Sequence, residues 1–241
     1  MNSAPALPRR LVGEALGTAF LLAAVVGSGI MGERLSGGNV AIALLANSLA
    51  TGAVLAVLIL VFGPISGAHF NPAVTLAEAL QRAVPWREVV GYVAAQVVGA
   101  FAGVASANLM FDEPLFAAST HARAGISQSF SEVVATFGLL LVIHGCSRSR
   151  PGAVPLAVGA YITGAYWFTA STSFANPAVT LARAATDTFA GIRPSDVPAF
   201  LVAQLIGAAL ATALFRWLVP SSVQEVPRAL PRRERIRGEA P

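Results

Sequence analysis

Asn71-Pro72-Ala73-Val74-Thr75-Leu76-Ala77 recurs letter for letter as Asn176-Pro177-Ala178-Val179-Thr180-Leu181-Ala182, and a repeat of this kind governs how every other motif is read. Other landmarks repeat in the same order: Glu14 and Thr18 match Glu132 and Thr136, and Ala95-Gln96 with Gly99-Ala100 match Ala203-Gln204 with Gly207-Ala208. Within the heptapeptide, Asn is a favoured helix N-cap, and the Pro after it lacks only an N–H that would have no intrahelical partner. Each copy therefore starts a helix. The run from Pro72 to about Gln81 spans about 15 Å at the α-helical rise, half of a hydrocarbon core about 30 Å thick.

Outward from these motifs the chain is apolar. Of its 241 residues 55% are hydrophobic and 12% charged, whereas soluble domains carry about 25% charged residues. Six stretches are apolar enough to cross a bilayer: Leu11 to Met31, Val40 to Phe62, Trp86 to Leu109, Gln128 to Gly145, Val154 to Ala170 and Val197 to Leu218. The first follows Arg9 and Arg10 but is longer than a signal-peptide core and contains Glu14, so it reads as a retained helix. Three crossings per half is an odd number, so the two copies are inverted. The approaches to the heptapeptides, Gly63 to Gly67 and Thr169 to Ser173, are irregular backbone, which a membrane tolerates only where it lines an aqueous path.

The expected fold is an all-α membrane protein of six transmembrane helices and two re-entrant half-helices. A short N-terminal tail (1–10) precedes a channel domain (11–218), with repeat one at about 11–115 and repeat two at about 125–218. An Arg-rich C-terminal tail (219–241) lacks apolar periodicity and is expected to be disordered. All 16 basic residues are Arg, and most fall in the tails, around Arg82 and Arg87, and around Arg148 and Arg150. That places both termini in the cytoplasm, with the chain as a multi-pass protein of the cell's inner membrane, its surroundings the lipid bilayer.

Two half-helix N-termini meeting at the midplane each carry roughly half a positive charge, to which the amides of Asn71 and Asn176 add donors. A neutral hydrogen-bonding solute can pass such a point, while cations and a continuous proton wire are opposed. Glu14 and Glu132 are ionisable groups inside transmembrane helices and so invite a functional reading. A transporter would use them as a proton relay; their equivalent placement favours acceptors for the re-entrant loop of each half. The lone Cys146 reads as helix-end packing. His69, His121 and His144 have no partners at metal-ligand spacing, and no Gly-rich phosphate loop is present. No metal, cofactor, nucleic-acid partner or enzymatic site is expected.

At these residues the chain resembles the aquaporins, or major intrinsic proteins, from Leu11 to about Leu218. Ile65-Ser66-Gly67-Ala68-His69-Phe70-Asn71-Pro72-Ala73-Val74-Thr75 matches the family's first half-helix motif almost unchanged. The resemblance implies a right-handed helix bundle, a homotetramer with one pore per protomer, the pore motifs Asn71-Pro72-Ala73 and Asn176-Pro177-Ala178, and a carbonyl ladder of Gly67, Ala68 and His69 with Thr172 to Phe174. It also implies a selectivity filter at Thr51, Gly164, Ser173 and Val179. Most members carry Arg where this chain has Val179, and this departure resembles a bacterial subgroup linked to arsenic resistance.

Such a filter is wide and weakly polar, which predicts passage of water, glycerol-sized polyols and neutral metalloid hydroxides such as arsenous acid. Alternatively Tyr166, Trp167 or Phe174 closes the pore and leaves a strict water channel. Arg183, a full turn beyond Val179, reads as a helix C-terminal charge rather than as a substitute for the missing Arg. A secondary transporter, which also uses inverted repeats and broken helices, is the rival from another class.

Overall fold

The computed structural model describes residues 5–219. Among these there is no β-strand, and the helices run α1 Leu7–Leu35, α2 Val40–Ser66, α3 Pro72–Leu80, α4 Trp86–Met110, α5 Ile126–Ser149, α6 Val154–Phe168, α7 Pro177–Arg183 and α8 Val197–Leu218. Single 3-10 turns, Pro151–Ala153 and Pro194–Asp196, lead into α6 and α8.

Five helices, α1, α2, α4, α5 and α8, are long and apolar enough to cross a membrane. The sixth expected crossing, Val154 to Ala170, is shorter in the structure. Helix α6 has 15 residues, about 22 Å at the α-helical rise. It stops because Thr169 turns extended (φ −111°, ψ 137°) and the Ala170 N–H donates to Ser131 Oγ on α5, so the chain leaves the helix early and enters the bundle.

Helix α1 begins at Leu7, inside the expected N-terminal tail of 1–10. Pro8 is tolerated in a first helical turn, and Arg10 reaches Glu88 on α4 at 2.8 Å. Except for Val219, the expected disordered tail (219–241) lies outside the described residues.

The packing repeats as the sequence does. Helix α1 packs on α2 and α4, α5 packs on α6 and α8, and α2 meets α6 across the seam between the halves. At equivalent places a Cβ on Gly99 would overlap the Ala15 carbonyl and one on Gly207 the Val133 carbonyl. These two glycines bring helix backbones into contact, as small residues do in membrane bundles. Gly99→Ala is expected to destabilise the protein by about 1–3 kcal/mol through overpacking, seen as a lower thermal midpoint in detergent. Gly63→Ala, whose Cβ would meet nothing within 4 Å, is the control and should not fall.

Polarity runs inside out. Large apolar side chains such as Phe20, Leu49, Val57, Val90, Val98, Phe130 and Leu210 are exposed, whereas Glu14, Asn47, Gln96, Glu132 and Gln204 are buried. A bilayer is the solvent that suits that surface.

Candidate functional site

The half-helices α3 and α7 meet head to head, and the contact is reciprocal. Asn71 Nδ2 donates to the Ala175 carbonyl and Asn176 Nδ2 to the Phe70 carbonyl, both at 2.7 Å. Each asparagine is also the extended N-cap of its own half-helix: Asn71 Oδ1 accepts from Ala73 N at 2.9 Å, and Asn176 Oδ1 from Ala178 N at 3.0 Å and Val179 N at 3.3 Å. An amide nitrogen carries two N–H groups. One is used in each cross-link, and the other is left for whatever occupies the adjoining cavity.

The approaches to the two motifs share one strained backbone. Positive φ occurs at Gly67 (92°), Ala68 (51°) and Phe70 (50°), and at the equivalent Thr172 (60°), Ser173 (51°) and Ala175 (48°). Five of these six carry a Cβ, at a cost of roughly 1–2 kcal/mol each, and conformations of this kind persist only where the surroundings over-determine them.

Two buried carboxylates supply that constraint. Glu14 accepts from His69 N at 3.0 Å, Phe70 N at 2.7 Å, Ser66 Oγ at 2.7 Å and Gln96 Nε2 at 2.8 Å. Glu132 accepts from Phe174 N at 2.9 Å, Ala175 N at 2.8 Å and Gln204 Nε2 at 2.6 Å. Gln96 and Gln204 go on to donate to Thr75 Oγ1 and Thr180 Oγ1 in the half-helices. Both glutamates and both glutamines are 0% exposed, so every one of these donors would be stranded without its acceptor.

A cavity of about 280 Å³ runs past this junction. Gly67, Ala68, His69, Phe70, Asn71, Ser173, Phe174, Ala175, Asn176 and Val179 line it, while Pro72, Ala73, Pro177 and Ala178 form the buried first turns behind it. Thr172 instead borders a second, separate cavity of about 140 Å³. The His69 ring is tied to Thr75 Oγ1 at 3.1 Å.

Of the four expected filter residues, Thr51, Ser173 and Val179 line the main cavity and Gly164 does not. Gly164 is exposed on the outer face of α6. Ile162 and Tyr166, four residues apart on one helical face, line the cavity instead, which puts Gly164 on the opposite face. Tyr166 Oη lies 3.4 Å from Thr51 Oγ1. Phe174 also lines the cavity, whereas Trp167 is half exposed and donates to Ser48 Oγ at 3.1 Å.

Two further side-chain clusters are assembled only by the fold. Arg183 stands in the last turn of α7, yet it is also 2% exposed and borders both cavities, and Arg123, from the α4–α5 connection, joins it at the smaller one. At the opposite end Glu78 lines the main cavity, with His144 at 3.7 Å and Gln81 bridging to the same imidazole at 2.7 Å. Among the described residues no group of three or more His, Cys, Asp or Glu could hold a metal ion.

The family model for the major intrinsic proteins matches residues 1–163 and 151–234 of the chain. The aquaglyceroporin AqpS of Rhizobium meliloti (strain 1021) is 57% identical over 213 residues, spanning 88% of this chain and 91% of that protein. Aquaporin NIP1-1 of Oryza sativa subsp. japonica is 35% identical over 159 residues, 64% of this chain and 55% of that protein. The X-ray structure of the aquaglyceroporin from Plasmodium falciparum superposes with a TM-score of 0.72 at 24% identity, covering 91% of this chain and 99% of that one. That last likeness speaks for the fold alone.

Proposed function

Because the chain belongs to the major intrinsic protein family, we propose that it is a passive membrane channel for water and small neutral solutes such as glycerol, extending to neutral metalloid hydroxides such as arsenous acid. The observation that carries this reading is the reciprocal cross-link of Asn71 and Asn176, which fixes two positive half-helix ends beside one continuous cavity. A solute there finds amide donors and an otherwise largely apolar wall. Water and polyols exchange their hydrogen bonds at such a site, whereas a cation meets two like-signed dipole ends.

In this reading Thr51, Tyr166, Ser173 and Val179 set the width of the pore, and the carbonyls of the two strained approaches carry the solute along it. Glu14 and Glu132 act as loop supports rather than as a proton relay, since all their partners named above are loop amides or structural side chains. The protein resides in the cell's inner membrane as a homotetramer with both termini cytoplasmic, and has no enzymatic activity. Its partners are small neutral solutes and the lipid bilayer.

Stopped-flow light scattering of proteoliposomes under water, glycerol and arsenous acid gradients tests the proposal. Native vesicles are expected to pass all three faster than protein-free liposomes, without saturation and without a proton or sodium gradient. Flux that saturates or requires an ion gradient would establish the transporter reading instead. Water permeation alone would remove the larger solutes from it.

A further inference from the structure

Among the described residues, two guanidinium groups at the outer mouth have no ion-pair partner. Arg183 Nε donates to the Ala190 carbonyl, and its two terminal nitrogens have no hydrogen-bond partner among the described residues. Its guanidinium carbon lies 3.4 Å from the centre of the Phe174 ring. Arg123 donates from Nε to the Gly191 carbonyl at 2.9 Å, and from Nη1 to the Ser171 carbonyl at 3.2 Å and Thr172 Oγ1 at 3.3 Å. Its guanidinium carbon is 4.9 Å from the same ring. One aromatic ring thus faces two cations, both more than nine-tenths buried.

Among the described residues no carboxylate forms an ion pair with either arginine. The acidic side chains of this region are engaged elsewhere: Asp196 accepts the Arg123 backbone N–H at 2.8 Å and pairs with Arg193 at 2.9 Å, Asp187 is held by Thr120 at 2.8 Å, and Glu132 accepts from the Phe174 and Ala175 amides. Burial draws the Arg123 pKa down to about 10, still far above neutral, so the charge remains. The neighbouring His121 imidazole is held below its ordinary pKa by burial first, then by Arg123 and Arg183, as expected beside a concentration of positive charge.

Cation–π contacts and carbonyl acceptors offset part of the desolvation of the two groups. The free fork of Arg183 is the geometry that recognises paired oxygens, and it opens on a cavity of about 140 Å³, room for about four or five waters. Val40, Leu44 and Phe189 form the apolar side of that wall and Asn47, His121 and Thr172 its uncharged polar side, a small enclosure that suits an ion of few atoms and a single charge.

We propose that Arg183 and Arg123 form a binding site for small monovalent oxyanions at the outer mouth, one helical turn beyond Val179, and that an ion held there slows solute passage. The effect on flux rests on the channel reading; the binding does not.

Two measurements separate these. Line broadening of isotope-labelled formate by the detergent-solubilised full chain reads binding directly. Glycerol flux into proteoliposomes, with external formate or nitrate against gluconate at equal ionic strength, reads the block as a ratio within each variant. Native protein should broaden the formate line and show severalfold slower glycerol flux in formate or nitrate. Arg183→Gln and Arg123→Gln should lose both effects, and Arg183→Lys, which keeps the charge without the fork, should weaken them. If Arg183→Gln does not fold, the Lys variant and Arg123→Gln carry the test. Formate binding in these variants equal to native, or no binding by native protein, overturns the proposal. Native vesicles no more permeable than bare liposomes, with formate binding intact, would instead defeat the channel reading and leave the site standing.

Discussion

Val179→Arg is expected to lower glycerol permeability by about tenfold or more while reducing water permeability far less, because a barrier rise of only ~1.4 kcal/mol accounts for a factor of ten. Val179 is 5% exposed and lines the main cavity beside Thr51, Tyr166 and Ser173. Its N–H is already committed to Asn176 Oδ1 at 3.3 Å, so the substitution changes the wall without disturbing the half-helix cap. Arg brings a longer side chain and five donors to a place where pore diameter and lining groups decide what passes. Stopped-flow measurement of both solutes in the same vesicles gives the ratio. Native and variant proteins passing only water would show that Tyr166 or Phe174, not Val179, limits the pore. The new guanidinium would also sit one turn from Arg183, so a double-mutant cycle with Arg183→Gln should show coupling between neighbours.

Removing either supporting carboxylate should be the most damaging change to the fold. Glu132→Ala strands two loop amides and the Gln204 side chain, and Glu14→Ala strands two loop amides, Ser66 and Gln96. Each buried donor left without its acceptor costs about 1–3 kcal/mol, and here the loss also releases the positive-φ approaches that the carboxylates hold. Both variants are expected to lose most of their folded yield in detergent, with Glu14→Ala the more severe because it orphans one more donor. Glu132→Gln keeps the volume but sets an amide N–H₂ against backbone N–H donors, so it should recover only part of the stability. A thermal midpoint and glycerol flux for Glu132→Ala equal to native would show that the loop holds its shape unaided.

Gly164 shows where a linear reading stops. The resemblance implies a filter position there from its place along the chain alone, which takes for granted the rotation of α6 about its own axis. That rotation is set by close approach across the seam, where a Cβ on Gly159 would press on the Gly52 carbonyl. With that contact made, Ile162 and Tyr166 point into the cavity and Gly164 points away. The early end of α6 has a similar origin, since it depends on Ser131 of α5 being placed to take the Ala170 N–H.

By itself the sequence determined the inverted repeat, the half-helix starts at Asn71 and Asn176, the paired carboxylates Glu14 and Glu132, and the membrane as solvent. These follow from local rules: a cap acts within its own turn, and an apolar stretch or a repeated motif can be read residue by residue. Only the tertiary structure decided which face of α6 lines the pore, and only it brought Arg123 and Arg183, 60 positions apart in the chain, onto the Phe174 ring. Helix rotation and contacts between distant segments are fixed by packing, and packing is a property of the whole bundle that no single stretch of chain carries.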